Sequence, residues 1–174
     1  KSIGFIGTGL MGFPMAKNLL KSGFELRVFN RTTEKANPLK EFGAEISTSI
    51  KEVVKDRDVI ITMLTDDTAI DELMKNTDFI KNIKSDSTVI DMSSIKPKTA
   101  FNHGNLLKIK NVNYLDAPVS GGTIGAEDGS LAIMVGGDQK VFDNVFDIFK
   151  SGNLALIISG EHVGTLIHDD GTGE

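Results

Sequence analysis

The order of apolar and helical segments in this 174-residue chain predicts an α/β fold with a doubly wound, mainly parallel sheet in a single domain. Short apolar runs alternate with helical patterns along nearly the whole chain. The runs are continuously apolar, as expected of parallel strands that are buried on both faces. A glycine-rich turn at residues 7–12 joins the first run to the first helical pattern.

The predicted elements follow one another in a regular order. Strands are predicted at residues 3–6, 24–29, 44–47, 58–64, 88–92, 112–117, 130–135 and 154–158. Helices are predicted at residues 10–21, 48–55, 97–108 and 138–150, with a further helix that opens at residue 66. Residues 75–87 are polar and give no clear pattern, and residues 118–129 are predicted to form a glycine-rich loop.

The turn GTGLMG at residues 7–12 has the GxGxxG spacing of a dinucleotide-binding Rossmann loop. Gly7 permits a tight turn out of the strand, Gly9 lets a pyrophosphate approach the backbone, and Gly12 lets helix and strand pack closely. Free N–H groups and the positive end of the helix dipole would face the phosphates. The alternative is a glycine-rich turn that merely joins a strand to a helix.

The end of the second strand predicts which dinucleotide is bound. Sites for NAD carry an acidic residue there, whereas sites for NADP lack the acid and have an arginine nearby. This chain has Asn30 followed by Arg31, with hydroxyls on Thr32 and Thr33. A guanidinium can grip a phosphate with two N–H groups and stack on adenine. We therefore expect NADP rather than NAD, the alternative being that Arg31 is a solvated surface charge.

Composition excludes several other classes of protein. The net charge is −5 with no basic stripe, so we expect no nucleic-acid partner. The chain has no cysteine and no metal-ligand spacing among its histidines, so we expect no metal site. No apolar run is long enough to span a membrane, and the first strand starts near Lys1. We expect a cytoplasmic protein without a leader or membrane partner.

Three motifs resemble those of the β-hydroxyacid dehydrogenase family. This family includes 3-hydroxyisobutyrate dehydrogenases, tartronate semialdehyde reductases and glyoxylate/succinic semialdehyde reductases. Residues 4–23 (GFIGTGLMGFPMAKNLLKSG) resemble its cofactor motif, and residues 116–137 (DAPVSGGTIGAEDGSLAIMVGG) resemble its substrate motif. Residues 91–97 (DMSSIKP) resemble its nicotinamide-region motif. The resemblance covers about residues 1–160 and implies a Rossmann domain there, with residues 161–174 as a tail or the start of a helical domain.

The resemblance implies a role for particular residues, with Thr65 standing where the family commonly has proline. The implied cofactor-binding residues are Gly7, Gly9, Leu10, Met11, Gly12, Asn30, Arg31, Thr32, Met63, Leu64, Thr65 and Ser94. The implied residues for a substrate carboxylate are Ser120, Gly121 and Gly122. Glycines can bring N–H groups together in an anion-binding nest, which agrees with the second role. A glycine-rich connection that only turns the chain is the alternative.

The chain departs from the family at the catalytic lysine, which follows the Rossmann domain in a GxGxxxK-type stretch. No lysine follows Lys150, so we assign no catalytic residue. The family's helical, dimerising domain is also absent, so we expect homo-oligomers only of the full-length enzyme. The resemblance implies an NADP-binding domain of an oxidoreductase for small 3-hydroxy acids, semialdehydes or glyoxylate, with little turnover alone. A non-catalytic NADP-binding interaction module and a 6-phosphogluconate dehydrogenase remain as alternatives.

Overall fold

The computed structural model describes residues 1–151 and 157–160. The strands are β1 (Ser2–Ile6), β2 (Glu25–Phe29), β3 (Glu45–Ile46), β4 (Val59–Thr62), β5 (Thr88–Asp91), β6 (Asn113–Asp116), β7 (Val119–Ser120), β8 (Ala132–Gly136) and β9 (Ile157–Gly160). The α-helices are α1 (Gly12–Lys21), α2 (Ile50–Val54), α3 (Asp67–Lys75), α4 (Thr77–Asn82), α5 (Pro97–Ile109), α6 (Gly122–Asp128) and α7 (Gln139–Ser151).

The described strands form one sheet in the order β3-β2-β1-β4-β5-β6-β8-β7, with β9 paired to β8. Pairing is parallel from β3 to β6, which confirms the doubly wound, mainly parallel fold. β8 runs antiparallel to β6 and β7. The strand order reverses between β1 and β4, and ligands of such sheets bind outside the carboxyl ends of strands at this point.

Each face of the sheet is covered by its own hydrophobic core. β4 shows the division clearly, because Val59 and Ile61 pack on one face and Ile60 on the other, all nearly or completely buried. The first core also contains side chains of α1 and α7, and the second contains side chains of α2 to α5. Burial on both faces explains why the strands read as continuous apolar runs.

Two segments contain structure that the sequence pattern did not predict. The expected loop at residues 118–129 contains β7 and α6, because Gly125 and Ala126 are buried and packing offsets the low helix propensity of glycine. The polar stretch at residues 75–87 contains the helix α4. Its N-cap is Asn76, whose Oδ1 accepts hydrogen bonds from N–H groups in the first turn of the helix.

Other boundaries differ by less. The segment around Pro38 forms short 3₁₀ helices at Thr33–Lys35 and Asn37–Phe42. The strand expected at residues 154–158 lies partly outside the described residues, and β9 begins at Ile157. The predicted tail at residues 161–174 lies outside them entirely.

Candidate functional site

The glycine-rich loop between β1 and α1 is held by very close backbone contacts. The Gly7 N–H donates to the carbonyl oxygen of Phe29, 3.0 Å away. Gly7 has φ +103°, and a Cβ there would lie 2.2 Å from the carbonyl oxygen of Met63. A Cβ on Gly12 would lie 1.8 Å from the carbonyl oxygen of Gly7. Only glycine fits at these two positions, because the obstructing atoms are backbone.

The middle of the same loop is open to a ligand. A Cβ on Gly9 would meet no atom within 4 Å, and Leu10 is 84% exposed. Helix α1 has no acidic residue in its first turn, so its positive end is not neutralised locally. Met11 is half-buried and occupies the N-cap position without a side-chain cap. An anion at Gly9 would therefore meet an accessible backbone at the start of a helix.

Asn30 connects the glycine-rich loop to the end of β2. Its Oδ1 accepts a hydrogen bond of 2.9 Å from the Thr8 N–H, and its Nδ2 donates one of 2.9 Å to the carbonyl oxygen of Thr32. Both ends of the amide are therefore used within the protein. The sequence predicts Asn30 as a cofactor-binding residue, and in the structure its hydrogen bonds join the glycine-rich loop to the segment after β2. Direct contact between Asn30 and a cofactor stays a prediction.

A cavity of about 600 Å³, here named the loop cavity, opens beside Thr8 and Gly9. Three lysines line it together with one acidic residue, Glu127; these lysines are Lys17, Lys21 and Lys35. The Oγ1 atom of Thr8 is buried and has no hydrogen-bond partner within the described part of the chain. The three lysines give the cavity positive charge that could attract an anion. Lys35, four residues after Arg31, was not predicted from the sequence as a residue of the site.

A second cavity of about 290 Å³, here named the β2–α3 cavity, lies on the other side of the β2 end. Asn30, Arg31 and Leu64 line it together with α3 residues that include Glu72. Of the three residues predicted after β4, only Leu64 lines this cavity. Met63 is half-buried against the first core and Thr65 is exposed. Thr32 is exposed beside Arg31.

Ser94 follows β5 and is exposed, and the residues before it are buried. Ser93 and Asp91 are both 0% exposed. Asp91 Oδ1 accepts hydrogen bonds from the Thr62 hydroxyl at 2.9 Å and from the Ser93 N–H at 3.0 Å. Burial raises the pKa of the Asp91 carboxyl, and the hydrogen bonds from Ser93 and Thr62 oppose that rise. This cluster was not predicted from the sequence. The position of Asp91 at the end of β5 does not indicate which side chain of a neighbouring strand it will contact.

The predicted substrate residues Ser120, Gly121 and Gly122 lie together and are exposed where β7 meets α6. Gly121 has φ +137° and Gly122 has φ +61°. Helix α6 is joined to α1, because the Asn18 side-chain amide donates to the carbonyl oxygen of Ala126 at 2.8 Å. The helix that follows the substrate residues therefore packs on the helix that follows the glycine-rich loop.

Residues 1–151 and 157–160 contain no group of three or more His, Asp or Glu side chains placed to hold a metal ion. No helix in these ranges is long and apolar enough to cross a membrane.

Comparison with known proteins agrees with this geometry. A family model described as the NAD binding domain of 6-phosphogluconate dehydrogenase matches residues 2–160. The chain belongs to this family. The matched residues include the glycine-rich loop, the end of β2 and the segment around Gly121.

Several relatives carry the names of hydroxyacid dehydrogenases and reductases. A probable mitochondrial 3-hydroxyisobutyrate dehydrogenase of Dictyostelium discoideum is 41% identical over 95% of this chain and 51% of that protein. A 2-hydroxy-3-oxopropionate reductase of Escherichia coli is 36% identical over 99% of this chain and 56% of that protein. These names confirm the resemblance to the β-hydroxyacid dehydrogenase family.

A solved structure supports the same assignment. Mycobacterium tuberculosis 3-hydroxyisobutyrate dehydrogenase with L-serine is 32% identical, with a TM-score of 0.89 over 95% of this chain and 56% of that one. The chain spans about half the length of the relatives it matches. It is thus the NAD-binding domain typical of hydroxyacid dehydrogenases.

Proposed function

We propose that this chain binds NADP(H) as the cofactor domain of an oxidoreductase for small 3-hydroxy acids, semialdehydes or glyoxylate. The observation that carries the proposal is the pair of cavities lined by the glycine-rich loop, with Gly7 on one and Gly9 on the other. Arg31 lines the β2–α3 cavity and Lys35 lines the loop cavity. The pyrophosphate would lie over Gly9 between them, with adenine in the β2–α3 cavity against Leu64.

Charge at the end of β2 supports NADP over NAD. The strand is followed by Asn30, whose amide is neutral and already hydrogen-bonded to Thr8 and Thr32. A carboxylate at that position would repel a 2′-phosphate, whereas Arg31 and Lys35 attract one. Glu72 lines the β2–α3 cavity and Glu127 lines the loop cavity. The attraction of a 2′-phosphate therefore depends on Arg31 and Lys35, which oppose these two negative charges.

The segment around Gly121 supports a small substrate that bears a carboxylate. The turn at Gly121 and Gly122, both of which have positive φ, leaves exposed backbone that an anion could approach, and the exposed Ser120 adds a hydroxyl. The Mycobacterium tuberculosis relative was solved with L-serine, which carries a carboxylate. We infer that the same class of anion binds here.

In the proposed reaction, the residues of this chain bind and orient the cofactor and the substrate. When bound, the nicotinamide supplies the carbon that gives or takes the hydride. Ser94 would lie beside it, and residues 120–122 would hold the substrate carboxylate so that the reacting carbon faces the ring. In the family that this chain resembles a lysine moves the hydroxyl proton, and because no lysine follows Lys150 we assign that step to no residue of this chain. We therefore expect cofactor binding with little turnover from this chain alone, and dimers of the longer enzyme.

Calorimetric titration of this chain with NADPH and NADH tests the proposal. We expect NADPH to bind about tenfold more tightly or better, because a hydrogen-bonded charge pair contributes about 1.5–3 kcal/mol. Arg31→Gln should weaken NADPH binding by about tenfold and leave NADH binding within about twofold. Lys40→Gln is the matched control, since Lys40 is an exposed lysine that lines neither cavity. Equal affinity for both dinucleotides would contradict the NADP assignment, and binding of neither would contradict the function.

A further inference from the structure

A chain of hydrogen bonds runs from the interior of the sheet to the wall of the β2–α3 cavity. Asp91, at the end of β5, holds the N–H of Ser93 at 3.0 Å. The Oγ of Ser93 in turn accepts a hydrogen bond of 2.9 Å from the N–H of Leu64. Leu64 lines the β2–α3 cavity. The turn after β5 therefore fixes the turn after β4 through one serine side chain.

The carboxylate itself is fixed from several directions. The Thr62 hydroxyl donates to the same Oδ1 at 2.9 Å, and the Tyr114 hydroxyl lies 3.4 Å from Oδ2. Thr62, Asp91 and Tyr114 belong to three adjacent strands, β4, β5 and β6. The carboxylate thus has little freedom to rotate. Ser93 inherits that rigidity, because its backbone and its side chain both take part in the network.

An acidic residue is a costly choice for this position if packing alone were required. Asp91 is completely buried, and moving a carboxyl out of water is unfavourable unless its hydrogen bonds are satisfied. Apolar side chains of similar size often stabilise a fold as well as buried polar groups do. The acid does one thing that an apolar side chain cannot, which is to hold the N–H of Ser93 in a fixed direction.

We propose that Asp91 and Ser93 are positioning residues for the dinucleotide, which set the Leu64 peptide and the adjacent Ser94 before the cofactor binds. The proposal rests on the proposed placement of adenine in the β2–α3 cavity. A wall that is already ordered needs no ordering when the ligand enters, so affinity is higher. Asp91 and Ser93 line neither cavity, so their effect on the dinucleotide would pass through Leu64 and Ser94.

The test compares two buried serines of the same strand region in the full chain. Ser93→Ala removes the acceptor for the Leu64 N–H. Ser87→Ala is the matched control, because Ser87 is 1% exposed at the opposite end of β5 and donates to the carbonyl oxygen of Lys84 at 2.6 Å. Both variants should lower the melting temperature. Only Ser93→Ala should weaken NADPH binding, by about fivefold in calorimetric titration.

Hydrogen exchange of the Leu64 amide in the unliganded chain gives an independent measurement. This amide should exchange faster in Ser93→Ala and at the wild-type rate in Ser87→Ala. Asp91→Asn keeps an oxygen for the Ser93 N–H and should retain NADPH affinity within about twofold, whereas Asp91→Leu should lose at least as much as Ser93→Ala.

The outcomes separate this proposal from the proposed function. Wild-type binding in Ser93→Ala, or equal weakening in Ser93→Ala and Ser87→Ala, would overturn the positioning role and leave the cofactor assignment intact. A wild-type chain that binds neither NADPH nor NADH would overturn both. Tight binding by wild type, with loss confined to Ser93→Ala and Asp91→Leu, would support both.

Discussion

The two glycine-rich segments of this domain look alike in sequence and differ in what requires their glycines. In the loop at residues 7–12, a Cβ on Gly12 would lie 1.8 Å from a backbone oxygen. In the segment at residues 120–125, a Cβ on Gly122 would meet nothing within 4 Å, and its constraint is φ +61°. Gly12 in the first segment therefore needs glycine for space, and Gly7 needs it both for space and for its φ of +103°. Gly122 in the second segment needs glycine for backbone conformation alone.

This difference explains which segment could be interpreted from sequence. A loop that needs glycine for close contact keeps a fixed spacing, because each glycine meets a particular neighbour. A segment that needs positive φ can place glycines in many turn types, so its spacing predicts only a turn. The structure accordingly matches the strand, turn and helix expected around Gly9. It replaces the loop expected around Gly122 with β7 and α6.

The largest effect should come from Gly12→Ala in the first loop. Relief of the contact with Gly7 requires backbone movement, so we expect a loss of about 3 kcal/mol in the free energy of unfolding. Urea unfolding measures it. Gly9→Ala is the control, because its Cβ is unobstructed; stability should change by less than about 0.5 kcal/mol while NADPH binding weakens by about tenfold. A stable Gly12→Ala variant would contradict the account of the first loop.

A smaller effect is expected from Gly122→Ala in the second segment. Alanine in the left-handed region costs about 1–2 kcal/mol, and here no steric term adds to it. Gly122→Asn should cost less than Gly122→Ala, since asparagine adopts this conformation more readily and the surrounding space is open. Thermal unfolding of the two variants distinguishes conformation from space. If both variants lost equal stability, the segment would be limited by contacts rather than by φ.

The smallest effect concerns Asp58, which precedes β4 at the amino-terminal end of the parallel strands, opposite to the end that carries the glycine-rich loop. The N–H of Ser2 and the Lys84 ammonium lower the pKa of Asp58 to about 2. A lowered pKa stabilises the fold above the unfolded value of 3.8, and this stability is lost as the pH falls from about 4 to 2. Because the side chain is 44% exposed, we expect at most about 1 kcal/mol.

Asp58→Asn should remove this part of the acid dependence in urea unfolding measured from pH 5 to pH 2. The NADPH affinity of this variant at pH 7 should equal that of wild type, because Asp58 lies at the amino-terminal end of the strands and the proposed site lies at their carboxyl end. An unchanged acid profile would show that the ion pair with Lys84 contributes nothing measurable. Reduced NADPH affinity would contradict the expectation that Asp58 acts independently of the proposed site.

Local patterns were enough to predict much of the site. The continuous apolar runs of β1 and β4 and the spacing of Gly7, Gly9 and Gly12 predict the sheet and the loop, because each depends on neighbours in the chain. Arg31 was predicted from its position after β2, and the structure places it on the β2–α3 cavity. Its binding role stays a prediction, as do the roles of Ser94 and of residues 120–122.

The sequence by itself determined the alternation of most strands and helices and the loop that turns between β1 and α1. Only the tertiary structure decided that Asn30 holds Thr8, and that Asp91 holds Ser93 and through it Leu64. It also decided that β8 turns back against β6. Hydrophobic periodicity and glycine spacing record local geometry. Side-chain hydrogen bonds between separate strand ends depend on which strands become neighbours, and that is fixed only when the sheet assembles.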